Sequence, residues 1–321
     1  MKEKKLKILI TGAAGFIGSH LCEALIKEHE VIGIDNFCDF YDIKIKRNNI
    51  KGLAKFDNFQ IIKADIRSKS EMEDVFSYHK FDLIIHLAAM AGVRPSIIDP
   101  VLYTEVNING TVNLLEQCKK NGIKKFIFAS SSSVYGNNKK VPFAESDPVD
   151  LPISPYAATK KSGELICHTY HHLEKISMAV LRFFTVYGPR QRPDLAIHKF
   201  ARKIIAGESI PVFGDGSTQR DYTYIDDIID GILKSVDFVD NGCHYEIFNL
   251  GESQTISLSK MISTIENSLG KKAVKEILPL QPGDVDQTYA DISKAKKLLG
   301  YCPKTKFKDG VDKFIDWLKD R

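Results

Sequence analysis

Short apolar runs rich in β-branched residues alternate with longer segments whose apolar residues recur at helical spacing. The runs read KILIT, VIGID, FQIIKAD, DLIIHLAA, KFIFASS and SMAVLRFF. This alternation predicts a parallel sheet that helices cover on both faces, that is, an α/β fold with a doubly wound Rossmann sheet. The first helix is predicted to begin at Phe16, and a later one to run from near Pro100 to a stop at Gly122.

The pattern also predicts two lobes. Residues 1–180 form the expected Rossmann domain. Beyond it the rhythm breaks into loops rich in proline and glycine, such as GPRQRPD and VFGDGSTQRDYTY, which indicates a smaller C-terminal substrate lobe over residues 181–321. Because the run YEIFNLG can return to the sheet as a further strand over 245–251, we expect the two lobes to be partly interleaved.

Composition narrows the class of protein. Of 321 residues, 43% are hydrophobic and 27% are charged, which is typical of a globular protein with a substantial core. The net charge of +4 is spread along the chain, so we expect no nucleic-acid partner. No segment approaches the roughly 18 uninterrupted apolar residues of a membrane span, and the N-terminus lacks a signal-peptide core, so we expect a cytoplasmic protein without a membrane partner. The cysteines occur singly and without metal-ligand spacing, which predicts reduced thiols and no metal site.

Three glycines at three-residue intervals separate the first predicted strand from the first helix. In ILITGAAGFIGSHL these are Gly12, Gly15 and Gly18. Glycines at this point let the backbone turn tightly and approach a pyrophosphate, which the free N–H groups at the start of the helix then bind. The spacing is GxxGxxG rather than the usual GxGxxG. The segment predicts a dinucleotide site that includes Phe16 and Ile17.

A carboxylate follows at the end of the second predicted strand. Asp35, in VIGIDNF, lies 23 residues after the first glycine, close to the ~20 expected of the acid that binds the adenosine ribose hydroxyls. Such a carboxylate repels a 2′-phosphate, so NAD is favoured over NADP as the cofactor, while a plain turn or helix-cap role for Asp35 stays open. Ligands collect at the carboxyl ends of parallel strands, where the further candidates are Asn36, Asp65, Ile66, Leu87, Ala88 and Ala89.

The stretch YAATKK places Tyr156 and Lys160 four residues apart at the start of a predicted helix, so their side chains share a face. An alcohol gives up a hydride only if its proton leaves as well, and a free tyrosine, with a pKa of ~10, is a poor base at neutral pH. We expect the Lys160 ammonium, together with a positive nicotinamide, to favour the phenolate by direct charge attraction. A serine of residues 130–133, at the end of the fifth strand, could relay the proton. The alternative is an exposed tyrosine and lysine without chemistry.

In these motifs the chain resembles the extended short-chain dehydrogenase/reductase family, and within it the nucleotide-sugar epimerases and dehydratases. TGAAGFIG, DNF, ADIR, HLAAMAGVRPS, ASSSSVYG, YAATK, RFFTVYGP, GDGSTQRDYTYIDDI and PGDV occur in the family's order over nearly the whole chain. The resemblance implies that Ser131, Tyr156 and Lys160 form the catalytic set. It also implies that Asn107, in NINGT, supports the cofactor side of the site.

The resemblance further implies which groups meet the substrate. Thr185, Arg220 and Asp284 would contact the sugar or its nucleotide, with the fork of the Arg220 guanidinium on the diphosphate. Where the family's 4,6-dehydratases carry Thr-Asp-Glu, this chain has serines at 131–133. Hydroxyls with ordinary pKa values supply neither the acid nor the base that elimination of water needs, so dehydration is disfavoured. The missing glutamate also counts against decarboxylation.

What remains is 4-epimerisation, in which C4 is oxidised with bound NAD, the 4-keto sugar rotates and the hydride returns to its other face. AGVRPS, YGPRQRPDLA and LQPGDV look most like the UDP-glucuronate 4-epimerases, which implies conversion of UDP-glucuronate to UDP-galacturonate. Arg192, by charge, or Thr185, by hydrogen bonding, could anchor the C6 carboxylate, with Arg94 as a weaker candidate and Ser132 and Ser133 as neutral partners. A UDP-glucose 4-epimerase is the alternative reading, and a dinucleotide sensor without catalysis is a third.

The family resemblance also implies a homodimer joined by helices within residues 100–120 and 154–173. The second of these helices carries a partly apolar stripe, which could equally cover the sheet. His168, His171 and His172 cluster there, and we interpret them as solvated or interface histidines rather than as a metal site. His86, at a strand end, is predicted to be packed rather than catalytic.

Overall fold

A computed structural model describes residues 5–279 and 286–320. Seven parallel strands form its main sheet. These strands are β1 Lys7–Thr11, β2 Glu30–Asp35, β3 Phe59–Lys63, β4 Leu83–His86, β5 Lys125–Ser131, β6 Ser177–Phe183 and β10 Tyr245–Leu250. Their order across the sheet is β3-β2-β1-β4-β5-β6-β10. The first six follow the doubly wound order of a Rossmann sheet, which confirms the predicted fold class.

Helices cover both faces of this sheet. They are α1 Phe16–Leu25, α2 Ile43–Lys51, α3 Lys69–Tyr78, α4 Val93–Ile98, α5 Pro100–Thr104, α6 Gly110–Asn121, α7 Pro155–Glu174, α8 Ala196–Ala206, α9 Ile225–Asp240, α10 Leu258–Leu269, α11 Ser293–Leu299 and α12 Phe307–Lys319. α1 packs against α9, while α3, α6 and α7 pack in a row on the opposite face. In β1 the buried side chains of Ile8 and Ile10 enter one apolar core and that of Leu9 enters the other. This division follows from the two-residue period of a strand.

The helix expected from Pro100 to Gly122 is interrupted by a π turn. α5 begins at Pro100, a π turn covers Glu105–Asn109, and α6 ends before Gly122, whose φ of 69° is the left-handed conformation that glycine adopts most easily. Apolar spacing does not reveal a single turn of π-helix, because one inserted residue barely changes which face is apolar. Such turns often occur at functional sites.

The remaining strands lie mostly C-terminal to β6. They are β7 Thr185–Tyr187, β8 Ser209–Phe213, β9 Gln219–Tyr224, β11 Thr255–Ser257 and β12 Val274–Leu278, which form a three-stranded sheet in the order β11-β9-β7 and a two-stranded sheet of β12 and β8. β10 lies beside β6 in the main sheet, so a chain segment after residue 181 completes that sheet. In the described part of the chain, no helix is long and apolar enough to cross a membrane.

Buried carboxylates hold the segment after β10 against β9. Asp221 accepts hydrogen bonds from the backbone N–H groups of Glu252, Ser253 and Ala290 at 2.8, 3.0 and 3.1 Å. Burial raises the pKa of Asp221 to about 6. Burial, and then the charges of Asp227 and Asp221, raise the pKa of Glu252 to about 8. One buried oxygen of Glu252 has no hydrogen-bond partner, which is consistent with a carboxyl that is protonated in the folded state.

This cluster predicts a loss of stability at alkaline pH. A carboxyl whose pKa is raised by folding contributes its full stabilisation at pH values below its ordinary pKa, which is 4.5 for Glu252. That contribution is lost as the pH rises to about 8. We expect the difference in unfolding free energy between Glu252→Gln and the wild type to shift in favour of the variant by about 1–3 kcal/mol when the pH is raised from 5 to 8.5. Urea unfolding at both pH values measures it. Glu266→Gln is the control, since the pKa of Glu266 is lowered and its effect is constant over this range; an equal trend in both variants would contradict the prediction.

Candidate active site

A cleft of about 370 Å³ lies at the carboxyl ends of β1, β2, β4 and β5. All of the predicted cofactor residues except Asn107 line this cleft. Among the predicted substrate residues, Ser131, Thr185 and Arg192 line it as well. The parallel sheet therefore brings together side chains that are up to 180 residues apart in sequence.

The glycine turn gives the floor of the cleft its shape. Gly12 has a φ of 70°, and a Cβ atom on it would lie 2.9 Å from the backbone nitrogen of Ala88. A Cβ atom on Gly18 would lie 2.2 Å from the carbonyl oxygen of Gly12. Gly15 precedes α1 without a side-chain cap, so the first N–H groups of this helix point towards the cleft without a side-chain partner. The turn therefore leaves room and hydrogen-bond donors for an anionic group.

Asp35 lies at the edge of the cleft in a network of donors. It is buried, and it accepts hydrogen bonds from the backbone N–H groups of Ala14 at 3.2 Å and Phe37 at 2.8 Å. The Lys46 ammonium, from α2, lies 3.3 Å from the same carboxylate and also 3.3 Å from the Cys38 sulfur. Sequence reasoning missed Lys46, because nothing in its spacing links it to Asp35. The local charge at the predicted ribose acid is therefore balanced rather than negative.

Asp65 forms the neighbouring wall. The side-chain amide of Asn36 donates to it at 3.0 Å, and the Arg67 guanidinium bonds to both carboxylate oxygens. Burial alone would raise the pKa of Asp65, but the bonds from Arg67 and Asn36 lower it to about 2. This carboxylate is therefore ionised and held in place throughout the physiological range of pH.

Asn107 acts from behind the cleft wall. It lies in the π turn, where its side-chain oxygen accepts from the backbone N–H of Met90 at 2.8 Å and its amide donates to the Met90 carbonyl and to Thr159, both at 3.0 Å. These bonds fix the loop after β4. His86, at the end of that strand, is buried between Thr11 at 2.7 Å and Thr111 at 3.0 Å. Burial lowers its pKa to about 3, so this neutral histidine has a packing role.

Tyr156 and Ser131 meet at the centre of the cleft. Burial raises the pKa of Tyr156, whereas its hydrogen bond with Ser131 and the charge of Arg192 lower it. The Lys160 ammonium instead donates to the carbonyl of Ala129 at 2.7 Å and lies over the Phe128 ring at 5.2 Å. The expected charge attraction between Lys160 and a Tyr156 phenolate stays a prediction, because this bond shows only where one donor of the ammonium is held. Although the two residues share a helix face, the longer lysine side chain turns to the end of β5.

Arg192 lines the cleft from the segment between β7 and α8. Its guanidinium stacks over the Phe40 ring at 4.9 Å and bonds to both oxygens of Asp194 at 3.0 and 2.6 Å. Burial would lower its pKa, but the bonds to Asp194 raise it, so the side chain stays charged. Phe40 and Tyr41, which also line the cleft, were missed from sequence. The aromatic loop FCDFYD after Asp35 was the available signal.

The four serines at 130–133 make different contacts. Ser131 accepts a hydrogen bond from the backbone N–H of Ser133 at 3.1 Å and donates to its side chain at 3.1 Å. Ser130 also lines the cleft, but its hydroxyl donates to Glu164 at 2.7 Å. Ser132 and Ser133 lie outside the lining. The structure therefore brings only the first half of the predicted serine set to the cleft wall.

Two other predicted substrate residues, Arg94 and Arg220, lie apart from this wall. Arg94 is exposed, with its guanidinium over the Phe213 ring at 4.9 Å. Arg220, on β9, donates to the Gln219 carbonyl at 2.8 Å. Neither lines the cleft, and their substrate contacts stay predictions. Asp284 lies outside the described residues.

The histidine cluster on α7 packs around a tyrosine. The rings of His168 and His171 lie 5.0 and 5.7 Å from the ring of Tyr245. Across residues 5–279 and 286–320, no group of three or more His, Cys, Asp or Glu side chains is arranged to hold a metal ion.

The fold and this cleft are those of a short-chain dehydrogenase/reductase, with a glycine turn, a serine, and a tyrosine and lysine on one helix. Residues 9–314 match the family model described as GDP-mannose 4,6 dehydratase. The chain belongs to this family, which confirms the resemblance read from its motifs.

Three relatives are similar to this chain over nearly its whole length. UDP-glucuronate 4-epimerase of Thermodesulfobacterium geofontis is 44% identical, over 97% of this chain and 96% of the relative. The crystal structure of UDP-glucuronic acid 4-epimerase from Bacillus cereus, in complex with UDP-glucuronic acid and NAD, matches with a TM-score of 0.92 and 42% identity, over 98% of this chain and 99% of that one. UDP-glucose 4-epimerase from Thermotoga maritima, solved with UDP-glucose, matches with a TM-score of 0.88 and 33% identity, over 98% and 99%.

Proposed function

We propose that this protein is an NAD-dependent UDP-glucuronate 4-epimerase that interconverts UDP-glucuronate and UDP-galacturonate. The observation that carries the proposal is the cleft itself, whose lining combines Tyr156 and Ser131 with the glycine turn and with Thr185 and Arg192. Support also comes from relatives of that activity at 42% and 44% identity over nearly the whole chain.

The residues present fit NAD. The absence of Cβ atoms at Gly12 and Gly18 allows a pyrophosphate to approach the uncapped start of α1, and Asp35 lies where an adenosine ribose would be bound. Lys46 would remain beside that ribose through its ion pair with Asp35. When bound, NAD supplies an acceptor that takes a hydride from C4 of the sugar and later returns it.

This chain's own residues would manage the proton. Tyr156 would take the C4 hydroxyl proton, with Ser131 orienting its phenol through their hydrogen bond. The Arg192 charge, which lowers the pKa of Tyr156, would favour the phenolate at that moment. Lys160, fixed on the Ala129 carbonyl, would place a positive charge at the end of β5. The serines at 131–133 offer no carboxylate, so elimination of water would lack its acid and base.

The C6 carboxylate decides the substrate. Oxidation of a hexuronate at C4 creates a β-keto acid, which loses CO2 readily when the bond to its carboxylate lies perpendicular to the carbonyl plane. Thr185 could hold the carboxylate in another orientation by a neutral hydrogen bond. Arg192 already shares its charge with Asp194, so it would hold a second carboxylate less tightly than a free arginine would. An epimerase that does not decarboxylate its substrate needs a contact that keeps the C6 carboxylate in such an orientation.

We also propose that two copies of the chain form a homodimer through α4, α5 and α7. Large apolar side chains stand exposed on these helices, namely Ile97, Ile98, Val101, Leu165 and Leu173, and the largest exposed fraction among them is 85% for Ile98. Exposed apolar residues on adjacent helices are typical of a covered interface.

The C-terminal segment, residues 181–321, would act as the nucleotide-sugar lobe of each copy.

Proton NMR with separate UDP-sugars tests the proposed reaction. We expect the protein to convert UDP-glucuronate to UDP-galacturonate, seen by the H4 coupling of an axial hydroxyl, while Tyr156→Phe reduces the rate by about 10²–10⁴-fold because the proton acceptor is lost. Conversion of UDP-glucose alone would assign the neutral-sugar epimerase instead. If neither sugar changes even with NAD added, a dinucleotide sensor or another nucleotide sugar becomes the better interpretation.

Thr185→Ala tests the hold on the carboxylate. We expect this variant to release a UDP-4-keto-pentose from UDP-glucuronate, because the 4-keto sugar can then turn its carboxylate perpendicular to the carbonyl. Mass spectrometry of the products measures it, with Thr305→Ala, outside both the cleft and the proposed dimer helices, as the matched control. Slower turnover without any keto-pentose would refute the role of Thr185.

Leu165→Glu tests the dimer. A charge on the exposed face of α7 would have to be buried at the interface, so we expect light scattering to show a dimer for the wild type and a monomer for the variant. Val274→Glu, on the exposed strand β12, is the control. A wild-type monomer at micromolar concentration would exclude this interface.

A further inference from the structure

Glu164 is the third member of the helix face that carries Tyr156 and Lys160. The three residues follow each other at intervals of four on α7. Unlike the other two, Glu164 does not line the cleft, and its side chain is only 1% exposed. A carboxylate buried so deeply must be compensated by neighbours.

Two strands supply that compensation. The Arg182 guanidinium, on β6, bonds to both carboxylate oxygens of Glu164 at 2.8 Å, and the Ser130 hydroxyl, on β5, donates to one of them at 2.7 Å. Ser130 and Arg182 are register partners in the parallel pair of strands. Glu164 therefore links the ends of β5 and β6 to α7. We call the bonded set of Ser130, Glu164 and Arg182 the clasp.

The strand end held by this clasp carries the reacting groups. Ala129 precedes Ser130 and accepts the bond from Lys160 at 2.7 Å. Ser131 follows Ser130 and bonds to Tyr156. A displacement of Ser130 would therefore move both contacts of the catalytic pair at the same time.

Fold stability alone does not explain a buried ion pair at this place. Removal of two charges from water costs free energy, and well-packed apolar side chains of similar size often hold a core equally well or better. Apolar side chains do not fix the orientation of their neighbours, because dispersion contacts are not directional. A bidentate hydrogen bond from arginine to a carboxylate is directional and does fix it.

We propose that Glu164 is a positioning residue for the C4 reaction, which through Ser130 and Arg182 fixes the end of β5 against Tyr156 and Lys160. This inference rests on the proposed function. It adds a residue outside the cleft whose effect passes entirely through the groups that it holds.

The charge of Glu164 also reaches Lys160. Burial lowers the pKa of Lys160 to about 8, and the charges of Cys167 and Glu164 oppose this change. Because burial raises the pKa of the Cys167 thiol, that group is neutral near pH 7, which leaves Glu164 as the acting negative charge. His86, on β4, faces Lys160 in its neutral form.

The other titratable groups around this lysine act little at neutral pH. Tyr156, one turn away, has a raised pKa and is protonated, and Cys118, on α6, has a thiol whose pKa is raised by burial. Arg182, on β6, stays charged and partly offsets Glu164. Removal of the Glu164 charge therefore favours loss of the proton from Lys160.

Glu164→Gln tests the inference on the full-length protein. We expect kcat for UDP-glucuronate to fall about 10–100-fold with KM changed less than about threefold, since misplacement affects the reacting geometry more than binding. We also expect a second readout without turnover. In protein labelled with ¹³C at lysine Cε, the Lys160 resonance, assigned by its absence in Lys160→Arg, should titrate near pH 8 in the wild type and at lower pH in the variant.

Two further variants separate the possible causes. Ser130→Ala opens the clasp but keeps the Glu164 charge, so we expect a lower kcat with an unchanged Lys160 titration. Glu266→Gln removes another buried glutamate, which accepts from the Ala273 N–H and from Lys272 away from the cleft, and should leave both readouts unchanged. Ser130→Ala also keeps the test decisive if Glu164→Gln does not fold.

The outcomes distinguish this inference from the proposed function. A wild type that does not epimerise UDP-glucuronate refutes the function, while the lysine titration still reports whether Glu164 acts on Lys160. An active wild type whose Glu164→Gln and Ser130→Ala variants retain kcat and the Lys160 titration would overturn the positioning role and leave a purely structural ion pair.

Discussion

All seven strands of the main sheet run parallel, and this common direction sets where the cleft lies. Parallel strands end at the same edge, so the loops after β1, β2, β4 and β5 must converge there. The order of the strands reverses between β1 and β4, and the two loops that separate at this point open the cleft. Because helices cover both faces, the cleft opens at this edge and not on a face of the sheet.

The backbone needs unusual room where the loops converge. Gly12 touches the loop after β4 so closely that a Cβ atom would overlap the Ala88 nitrogen, and Gly18 packs on the Gly12 carbonyl. Thr11 accepts the Ala88 N–H at 3.0 Å and so joins the same two loops by a hydrogen bond. Close approach and hydrogen bonding together explain why small residues and a threonine occur at this turn, and the resulting shape suits a flat, anionic ligand.

Three pairs of opposite charges lie in or next to the cleft. Asp35 with Lys46, Arg192 with Asp194, and Glu164 with Arg182 each combine opposite charges at 3.3 Å or less. An unpaired charge in such a site would shift its own pKa or destabilise the fold. Each pair offsets part of the cost of taking its charges out of water and gives the side chains around Tyr156 fixed orientations.

The strands of the main sheet, the glycine turn and the tyrosine and lysine on α7 are predictable from the sequence, because these depend on local spacing: a period of two or four residues, or a turn that only glycine allows. The partners of the long side chains are not predictable in this way. The Lys160 ammonium bonds to the end of β5, Lys46 pairs with Asp35, and Glu164 bonds to Ser130 and Arg182. A flexible side chain can reach several neighbours within a few ångströms, and which of them lie within reach is set by how strands far apart in sequence pack together.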